Sequence, residues 1–269
     1  MKTAALLMVP AMGVLPLLAE APAIIAHRGA SISAPENTLA AFREAWNQKA
    51  DGIELDIWLT KDGRIVVIHD GSTKRTTGED LVVGDHSLDE LRKLDAGGWK
   101  GEKWKGEPIP TLEETLKALP DGKTVYIEIK CGPEVMPELA RVISASGKPM
   151  EQLRIIGFSF DTLVKAKALM PAVKTLWLVS SSKNKITGKT TYPDLAGLAE
   201  KAAAAGLTGL DLNTGFPLDA EAVAAIKAKG LSLAVWTVND PAEAKRFATT
   251  GVNAINTDQP ARIRSALEP

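Results

Sequence analysis

The sequence lacks the features that identify several common classes of protein. Cys131 is its single cysteine, so no disulfide bond can form within the chain. The phosphate-loop pattern Gly-x-x-x-x-Gly-Lys-Ser/Thr is absent, which argues against nucleotide hydrolysis by that route. The patterns Gly-x-Ser-x-Gly and His-Glu-x-x-His are also missing, and this argues against a serine hydrolase and a zinc protease.

An excess of either charge is missing as well. The chain carries 32 Lys and Arg residues against 33 Asp and Glu residues, for a net charge of −1. A nucleic-acid-binding surface needs a basic stripe, and this balance gives no electrostatic case for one. Because 269 residues is a normal length for one α/β barrel and no linker or repeat divides the chain, we predict a single domain.

The N-terminus has the pattern of a secretory signal peptide. Lys2 is followed by an apolar stretch over residues 4–18, which ends at Ala19-Glu20-Ala21. A short basic start, an apolar run and a small-x-small site are typical of such a segment. We therefore predict a signal peptide over residues 1–21, a catalytic domain over residues 22–269, and export to the periplasm or the medium. An uncleaved membrane anchor is the alternative, because Lys2 is the only basic residue before the run.

Short apolar runs alternate with amphipathic stretches along the remainder of the chain. The runs are residues 23–26, 52–58, 65–68, 124–129, 154–158, 175–179, 207–212, 232–238 and 253–256. The clearest stretches with helical spacing are residues 38–50, 111–119, 137–145, 195–205 and 220–229. Strand–helix alternation of this kind predicts a parallel sheet with crossover helices.

Nine runs are one too many for an eight-stranded barrel, and the connection over residues 59–64 resolves the count. Six residues cannot make a parallel crossover, which needs a dozen or more. Asp62-Gly63 is instead a tight hairpin signal. We therefore predict a distorted (β/α)8 TIM barrel with a β-hairpin excursion after the second barrel strand. The hairpin would return His69 beside Asp56, at the C-terminal rim where barrel enzymes place their chemistry.

Polar side chains cluster at the ends of the first three barrel strands and of the hairpin. They are His27, Arg28, Glu54, Asp56, His69, Glu128 and Lys130. Three inward-facing carboxylates repel one another and are costly to bury without a cation. An oxygen-rich cluster of this kind selects one hard divalent cation, Mg²⁺ or Ca²⁺. For Asp56 alone, pairing with Arg28 or Lys130 is the structural alternative.

Two of the three histidines, His27 and His69, lie at strand ends beside these carboxylates, whereas His86 lies in a polar loop. Two imidazoles, a divalent metal and an arginine suit in-line phosphoryl transfer. One imidazole would take a proton from the attacking oxygen, and the other would protonate the leaving group. We predict this acid/base role for His27 and His69 and a structural role for His86.

Motifs along nearly all of the predicted mature chain carry a family resemblance. They are Ala26-His27-Arg28-Gly29-Ala30, Pro35-Glu36-Asn37-Thr38, Ile53-Glu54-Leu55-Asp56, Leu59-Thr60-Lys61-Asp62-Gly63, Ile68-His69-Asp70, Arg75-Thr76-Thr77-Gly78, Ile109-Pro110-Thr111-Leu112-Glu113-Glu114, Glu128-Ile129-Lys130, Trp236-Thr237-Val238-Asn239 and Thr257-Asp258-x-Pro260. Together they resemble the glycerophosphodiester phosphodiesterase family. The resemblance implies a distorted TIM barrel that hydrolyses glycerophosphodiesters to glycerol 3-phosphate and an alcohol.

The resemblance also implies roles for individual residues. The implied metal ligands are Glu54, Asp56 and Glu128, the acid/base pair is His27 and His69, the phosphate contacts are Arg28 and Lys130, and the aromatic residue beside the substrate's glycerol is Trp236. Glu36 matches a position expected behind the ligands or in contact with the metal or the glycerol. Asn256 and Gln259 depart from the apolar residues usual in relatives, which bears on packing more than on chemistry. The implied partner is a small-molecule glycerophosphodiester, without nucleic acid and without stable membrane association after signal cleavage.

Two other functions stay open on the sequence. One is a phospholipase similar to the phosphatidylinositol-specific C type or to the D type, which would need an apolar rim facing the membrane. The candidate rim loops, residues 97–106 and 184–191, are mostly Lys, Gly, Glu and Thr, with Trp99 and Trp104 as the residues able to insert into lipid. The other is a non-catalytic barrel that binds a phosphoester. The head group, the choice between Ca²⁺ and Mg²⁺, a cyclic-phosphate route and the oligomeric state are not fixed by the sequence.

Overall fold

The computed structural model describes residues 21–268. The predicted signal peptide therefore lies outside the described residues except for Ala21. Within residues 21–268, no helix combines the length and the apolar character that crossing a membrane requires.

Strands and helices alternate along the described chain. The strands are β1 (Ala23–Ala26), β2 (Gly52–Leu59), β3 (Ile65–Val67), β4 (Thr124–Ile129), β5 (Leu153–Gly157), β6 (Lys174–Val179), β7 (Ser182–Lys183), β8 (Thr190–Thr191), β9 (Gly209–Asn213), β10 (Ser232–Trp236) and β11 (Ala254–Thr257). The α-helices are α1 (Leu39–Asn47), α2 (Lys74–Thr77), α3 (Leu88–Leu91), α4 (Leu112–Ala118), α5 (Met136–Ala145), α6 (Phe160–Leu169), α7 (Leu195–Ala204), α8 (Ala220–Ala228), α9 (Pro241–Thr250) and α10 (Pro260–Leu267).

Eight of these strands form a closed parallel barrel. Around the barrel they follow the order β1, β2, β4, β5, β6, β9, β10 and β11, and β11 pairs with β1 to close the ring. Polar caps fix where several of the outer helices begin, because a side-chain oxygen accepts an otherwise free N–H of the first turn. Asp194, Asp219 and Asp240 do this for α7, α8 and α9. The predicted TIM barrel is confirmed.

The predicted hairpin excursion is confirmed as well. Strand β3 runs antiparallel to β2, with Ile57 opposite Val67. Gly63 turns the chain with φ +72°, a left-handed conformation that glycine adopts without steric cost. The Ile68 N–H donates to the Asp56 carbonyl at 3.0 Å, so the next residue, His69, reaches the C-terminal rim.

The hydrophobic core has three parts, of which one packs the hairpin against α3 through Val66, Ile68 and Leu91, and the other two lie outside and inside the barrel. The larger part lies between the strands and the surrounding helices and includes Leu55, Ile127 and Phe247, all fully buried. The smaller part fills the barrel interior with Ile25, Tyr126, Ile156, Leu176, Leu178, Ala234 and Ala254. This inner cluster is the floor beneath the polar residues of the rim.

The segment over residues 184–191 differs from the sequence prediction of a simple loop. Its last two residues form β8, which pairs with β7 just before the segment in a second small hairpin, with Ser182 opposite Thr191 and Lys183 opposite Thr190. The Asn184 side chain accepts the N–H groups of Ile186 and Thr187, each at 2.9 Å, and so makes the turn. Hydrogen bonds from a side chain to the backbone leave no hydrophobic pattern in the sequence. Hydrophobic periodicity therefore did not predict this second hairpin.

Candidate active site

A cavity of about 200 Å³ opens at the carboxyl ends of the barrel strands. The side chains that line it are His27, Arg28, Glu54, His69, Glu128, Lys130, Ile156, Phe158, Leu178, Asp211, Trp236 and Asn256. Except for Asp211 on β9, the ionic residues lie on or just after β1, β2, β4 and the hairpin, whereas residues on or just after β5, β6 and β10 supply an apolar wall. Of the lining residues, none belongs to the long loop over residues 97–106.

Three buried carboxylates form the centre of the ionic side. Glu54, Asp56 and Glu128 each place an oxygen within 4.8 Å of the others' oxygens. They are 3%, 1% and 8% exposed. Burial and the charges of the other two acids raise the pKa of Glu54 well above its usual range. Burial and the charge of Asp56 raise the pKa of Glu128 to about 7, although Lys130 opposes the rise.

These residues fit a divalent cation. Glu54 Oε1 and Asp56 Oδ1 are buried and accept no hydrogen bond from any residue of the described chain. Lys130 Nζ lies 2.8 Å from Glu128 Oε1 and 3.5 Å from Asp56 Oδ1, and Arg28 Nε lies 3.4 Å from Asp56 Oδ2. These two cations compensate only part of the negative charge of three carboxylates. Unpartnered carboxylate oxygens close to other carboxylates, whose charges raise the pKa of Glu54, are the donors that a hard divalent ion needs.

A tight turn after β1 places the first two site residues. Arg28 has φ +57°, an uncommon conformation for a residue with a side chain. Its backbone N–H donates to Glu54 Oε2 at 2.9 Å and so fixes that carboxylate. Gly29 follows with φ +82°, and a Cβ there would lie 2.7 Å from the Ala41 carbonyl carbon. The close packing of this turn on α1 therefore requires glycine at position 29.

The His27 ring is held from behind by Asp258. Its Nδ1 lies 2.7 Å from Asp258 Oδ1, and its Nε2 lies 4.0 Å from Glu54 Oε2. Burial would raise the pKa of Asp258, but hydrogen bonds from His27, Asn239 and Ser31 lower it to about 2. The carboxylate is thus ionised and accepts the Nδ1 proton, which leaves Nε2 facing the cavity.

The His69 ring is held in the same way by its neighbour in sequence. Its Nδ1 lies 2.6 Å from Asp70 Oδ1, and Arg75 Nε donates to Asp70 Oδ2 at 2.6 Å. Its Nε2 lies 3.2 Å from Lys130 Nζ. Burial, assisted by the charge of Arg28, lowers the pKa of His69, against an opposing effect of Asp56.

Two further polar contacts support the ionic side. Glu36 accepts hydrogen bonds from Arg28 at 3.0 Å and from Arg75 at 2.8 and 2.9 Å, so two guanidinium groups surround its carboxylate. Asn37 donates from Nδ2 to Asp56 Oδ2 at 2.8 Å and accepts the Asp56 N–H at 3.2 Å. Glu36 thereby orients the arginines, and Asn37 fixes one of the three acids.

The opposite wall is aromatic and aliphatic. Trp236 and Phe158 meet edge to face with ring centroids 5.7 Å apart. The Trp236 Nε1–H donates to the carbonyl of Asp211 at 3.2 Å, which holds the indole ring against the wall. The Asp211 carboxylate and the Asn256 amide face the cavity from β9 and β11.

The structure brings the sequence-predicted residues together around one cavity, with Asp56 buried beneath it and Glu36 behind Arg28. The residues that sequence reasoning missed are Asn37, Asp70, Phe158, Asp211, Asn239 and Asp258. Asn37, Asp70, Asn239 and Asp258 are polar members of matched motifs, and that was the available signal. Asn256, assigned from sequence to packing, instead contacts Asp211 in the cavity wall.

Comparison with known proteins agrees with this geometry. A model of the "Glycerophosphoryl diester phosphodiesterase family" matches residues 27–262. A glycerophosphodiester phosphodiesterase of Caldanaerobacter subterraneus subsp. tengcongensis is 37% identical, over 88% of this chain and 94% of that protein. A Bacillus subtilis glycerophosphodiester phosphodiesterase is 36% identical, over 88% of this chain and 83% of that protein.

A solved structure gives the same result. An Oleispira antarctica phosphodiesterase, in complex with its product sn-glycerol-3-phosphate, superimposes with a TM-score of 0.81. It is 32% identical and the match covers 93% of this chain and 98% of that one. The chain therefore belongs to the glycerophosphoryl diester phosphodiesterase family of enzymes.

Proposed function

We propose that the protein hydrolyses glycerophosphodiesters to glycerol 3-phosphate and an alcohol with the help of one divalent cation. The observation that carries this proposal is the arrangement of the two imidazoles. Each ring is held at Nδ1 by a carboxylate and lines the same cavity, with Nε2 of His27 nearest Glu54 and Nε2 of His69 nearest Lys130. Two fixed imidazoles on a shared cavity suit a reaction that takes up one proton and delivers another.

Glu54, Asp56 and Glu128 would hold the cation. When bound, a divalent ion withdraws negative charge from phosphate oxygens and so favours attack at phosphorus. Arg28 and Lys130 both line the cavity, and their cationic groups would bind the remaining phosphate oxygens. The charges of Glu128 and Asp56 raise the pKa of Lys130 against the effect of burial, so the ammonium stays charged for this role.

His27 and His69 would divide the proton transfers between them. One ring accepts the proton of the attacking oxygen, and the other donates a proton to the oxygen of the departing alcohol. The P–O bond to that alcohol breaks as the new P–O bond forms. Water supplies the atoms added overall, whether it attacks directly or opens a cyclic phosphate made by a glycerol hydroxyl.

A release assay with glycerophosphocholine tests the proposal. The purified protein is stripped with a chelator, resupplied with Mg²⁺ or Ca²⁺ in separate reactions, and scored for choline and glycerol 3-phosphate. We expect turnover with at least one ion and none with the chelator. The variants His27→Ala and His69→Ala should lose about 100-fold or more in kcat, the usual contribution of a general acid or base, while His86→Ala serves as the matched control.

Undiminished turnover in both the His27→Ala and the His69→Ala variant would contradict the assigned acid/base roles. Turnover in the presence of the chelator would contradict the requirement for a cation. Sedimentation of the same preparations with phosphatidylinositol vesicles tests the phospholipase alternative. Tight vesicle binding with cleavage of intact phospholipid would favour that alternative. Absence of any turnover under all conditions would favour a non-catalytic phosphoester-binding barrel.

A further inference from the structure

The Asp211–Asn256 pair is unusual for its place in the barrel. Both residues are 1% exposed and lie on β9 and β11, with the apolar Ala234 of the intervening strand β10 beside Asp211 and the apolar Ala254 two residues before Asn256 on β11. Interior positions of such barrels favour Val, Ile and Leu, which need no polar partners. A buried carboxyl and a buried amide here cost free energy unless they are fully hydrogen-bonded.

The pair is not fully hydrogen-bonded by the protein. Asn256 Nδ2 lies 3.3 and 3.4 Å from the two oxygens of Asp211 and 3.4 Å from the Val235 carbonyl, all long for hydrogen bonds. Asn256 Oδ1 is buried and has no partner among the described residues. The two carboxyl oxygens of Asp211 and the amide of Asn256 can therefore make further hydrogen bonds, and they face the cavity from an otherwise apolar wall.

A hydroxyl group matches this unused capacity. A hydroxyl can donate to one oxygen of the pair and accept from the amide, whereas a quaternary ammonium has no hydrogen to donate. Burial, with the charge of Glu128, raises the pKa of Asp211 well above its usual range, while Asn256 opposes the rise. A raised pKa disfavours the ionised carboxylate that a cationic ligand would need, which again favours an uncharged hydroxyl group.

We propose that Asp211 and Asn256 bind the terminal hydroxyl of the substrate's glycerol and thereby select glycerol esters. This inference rests on the proposed hydrolysis of glycerophosphodiesters. With the phosphate at the ionic side, the carbon farthest from the phosphate reaches across the cavity toward the wall. The glycerol is the constant part of such substrates, so it suits a closed interior, and a variable head group is better placed toward solvent.

Two substrates that differ in one hydroxyl group test the proposal. They are glycerophosphocholine and its analogue made from propane-1,2-diol, which keeps the hydroxyl beside the phosphate ester and lacks the terminal one. Leaving buried polar groups unpaired costs about 1–3 kcal/mol. We therefore expect the wild type to prefer the glycerol ester by about tenfold to 100-fold in kcat/KM.

The variants Asn256→Leu and Asp211→Leu should abolish or strongly reduce that preference, mainly by raising KM for the glycerol ester. Thr175→Val is the matched control, because the Thr175 hydroxyl is also buried without a partner but lies at the start of β6, outside the cavity lining. The control should keep the wild-type preference. An unchanged preference in both pair variants would overturn the proposal.

A calorimetric measurement on the wild type covers the case in which the variants do not fold. Glycerol 3-phosphate should bind about tenfold or more tightly than propane-1,2-diol phosphate, in line with one lost hydrogen-bonding group, and equal affinities would contradict the subsite. A wild type that hydrolyses both diesters equally well refutes this inference and leaves the hydrolase function standing. A wild type that hydrolyses neither refutes the proposed function itself.

Discussion

Each of the two histidines depends on a carboxylate that does not face the substrate. Asp258 and Asp70 fix the rings at Nδ1, and each is itself held by further donors. Partners of this kind select the tautomer and the orientation of an imidazole. The Nε2 nitrogen of each ring, which we propose transfers a proton, is therefore positioned by residues that lie behind the ring.

Asp258→Asn should lower kcat about tenfold to 100-fold with little change in KM, which is the usual effect of losing a residue that orients a functional side chain from behind. An amide at position 258 can donate to His27 Nδ1 and thus favour the wrong tautomer. Steady-state kinetics across pH will check this, with Asp161→Asn, an exposed acid on α6, as the control. Equal kcat values and pH profiles for the two variants would show that Asp258 does not position His27.

Glu128→Gln should change how stability depends on pH in the metal-free protein. The pKa of Glu128 rises from 4.5 to about 7 on folding, so the folded state holds its proton longer than the unfolded state. The free energy of unfolding of the wild type should therefore fall by about 3 kcal/mol relative to that of the variant as the pH rises from about 4 to 8.

Denaturant unfolding in a chelator, repeated at several pH values, measures that difference. Saturating Ca²⁺ or Mg²⁺ should restore the wild type at pH 8 and stabilise the variant much less, because binding to the folded state adds stability. A difference between the two proteins that does not vary with pH would contradict the prediction.

Residue types and their spacing predicted the acids, the histidines and the basic residues Arg28 and Lys130, because alternate residues of a strand lie on the same face. The supporting residues could not be predicted in this way. Asp258 lies 231 positions from His27 in the chain, and only barrel closure makes them neighbours. Asp211 is a single acid in an apolar strand, so its partner Asn256 is visible only in three dimensions.

At the scale of elements, the turn between β1 and α1 is the most demanding part of the site. Gly29→Ala should reduce both stability and kcat, because its Cβ would meet the Ala41 carbonyl carbon at 2.7 Å and displace His27 and Arg28. Gly122→Ala is the matched control: Gly122 has φ +76°, but no atom lies within 4 Å of its Cβ position.

The free energy of unfolding of Gly122→Ala should fall by about 1–2 kcal/mol from backbone strain alone, and its kcat should equal that of the wild type. Thermal unfolding and the choline-release assay together separate the two effects. If both variants lost stability equally and both kept full activity, close packing at Gly29 would not be what positions the turn.

The order of the elements was predictable and some of their bounds were not. Alternating apolar runs gave the eight barrel strands, and Asp62-Gly63 gave the hairpin. The predicted run over residues 207–212 loses its first two residues in the structure, where β9 begins at Gly209. Pairing with neighbouring strands decides such ends, and a single sequence does not contain that information.

For the whole molecule, we propose that the chain is exported and that the mature enzyme begins near Pro22. Expression in a bacterial host should yield periplasmic or secreted protein, and mass spectrometry of its N-terminus should place cleavage after Ala21. A variant that starts at Pro22 preceded by an added Met should remain in the cytoplasm. Retention of residues 1–21 on membrane-bound protein would favour the uncleaved anchor.

Barrel closure between β1 and β11 carries one more consequence, for the timing of activity. His27 is among the first residues of the folded chain to be synthesised, and its carboxylate partner Asp258 is among the last. A growing or truncated chain that already contains both histidines and all three acids would still have an unoriented imidazole. Full hydrolytic activity should therefore appear only when the final strand docks, and a partial product of translation or export should cleave phosphodiesters at least about tenfold more slowly.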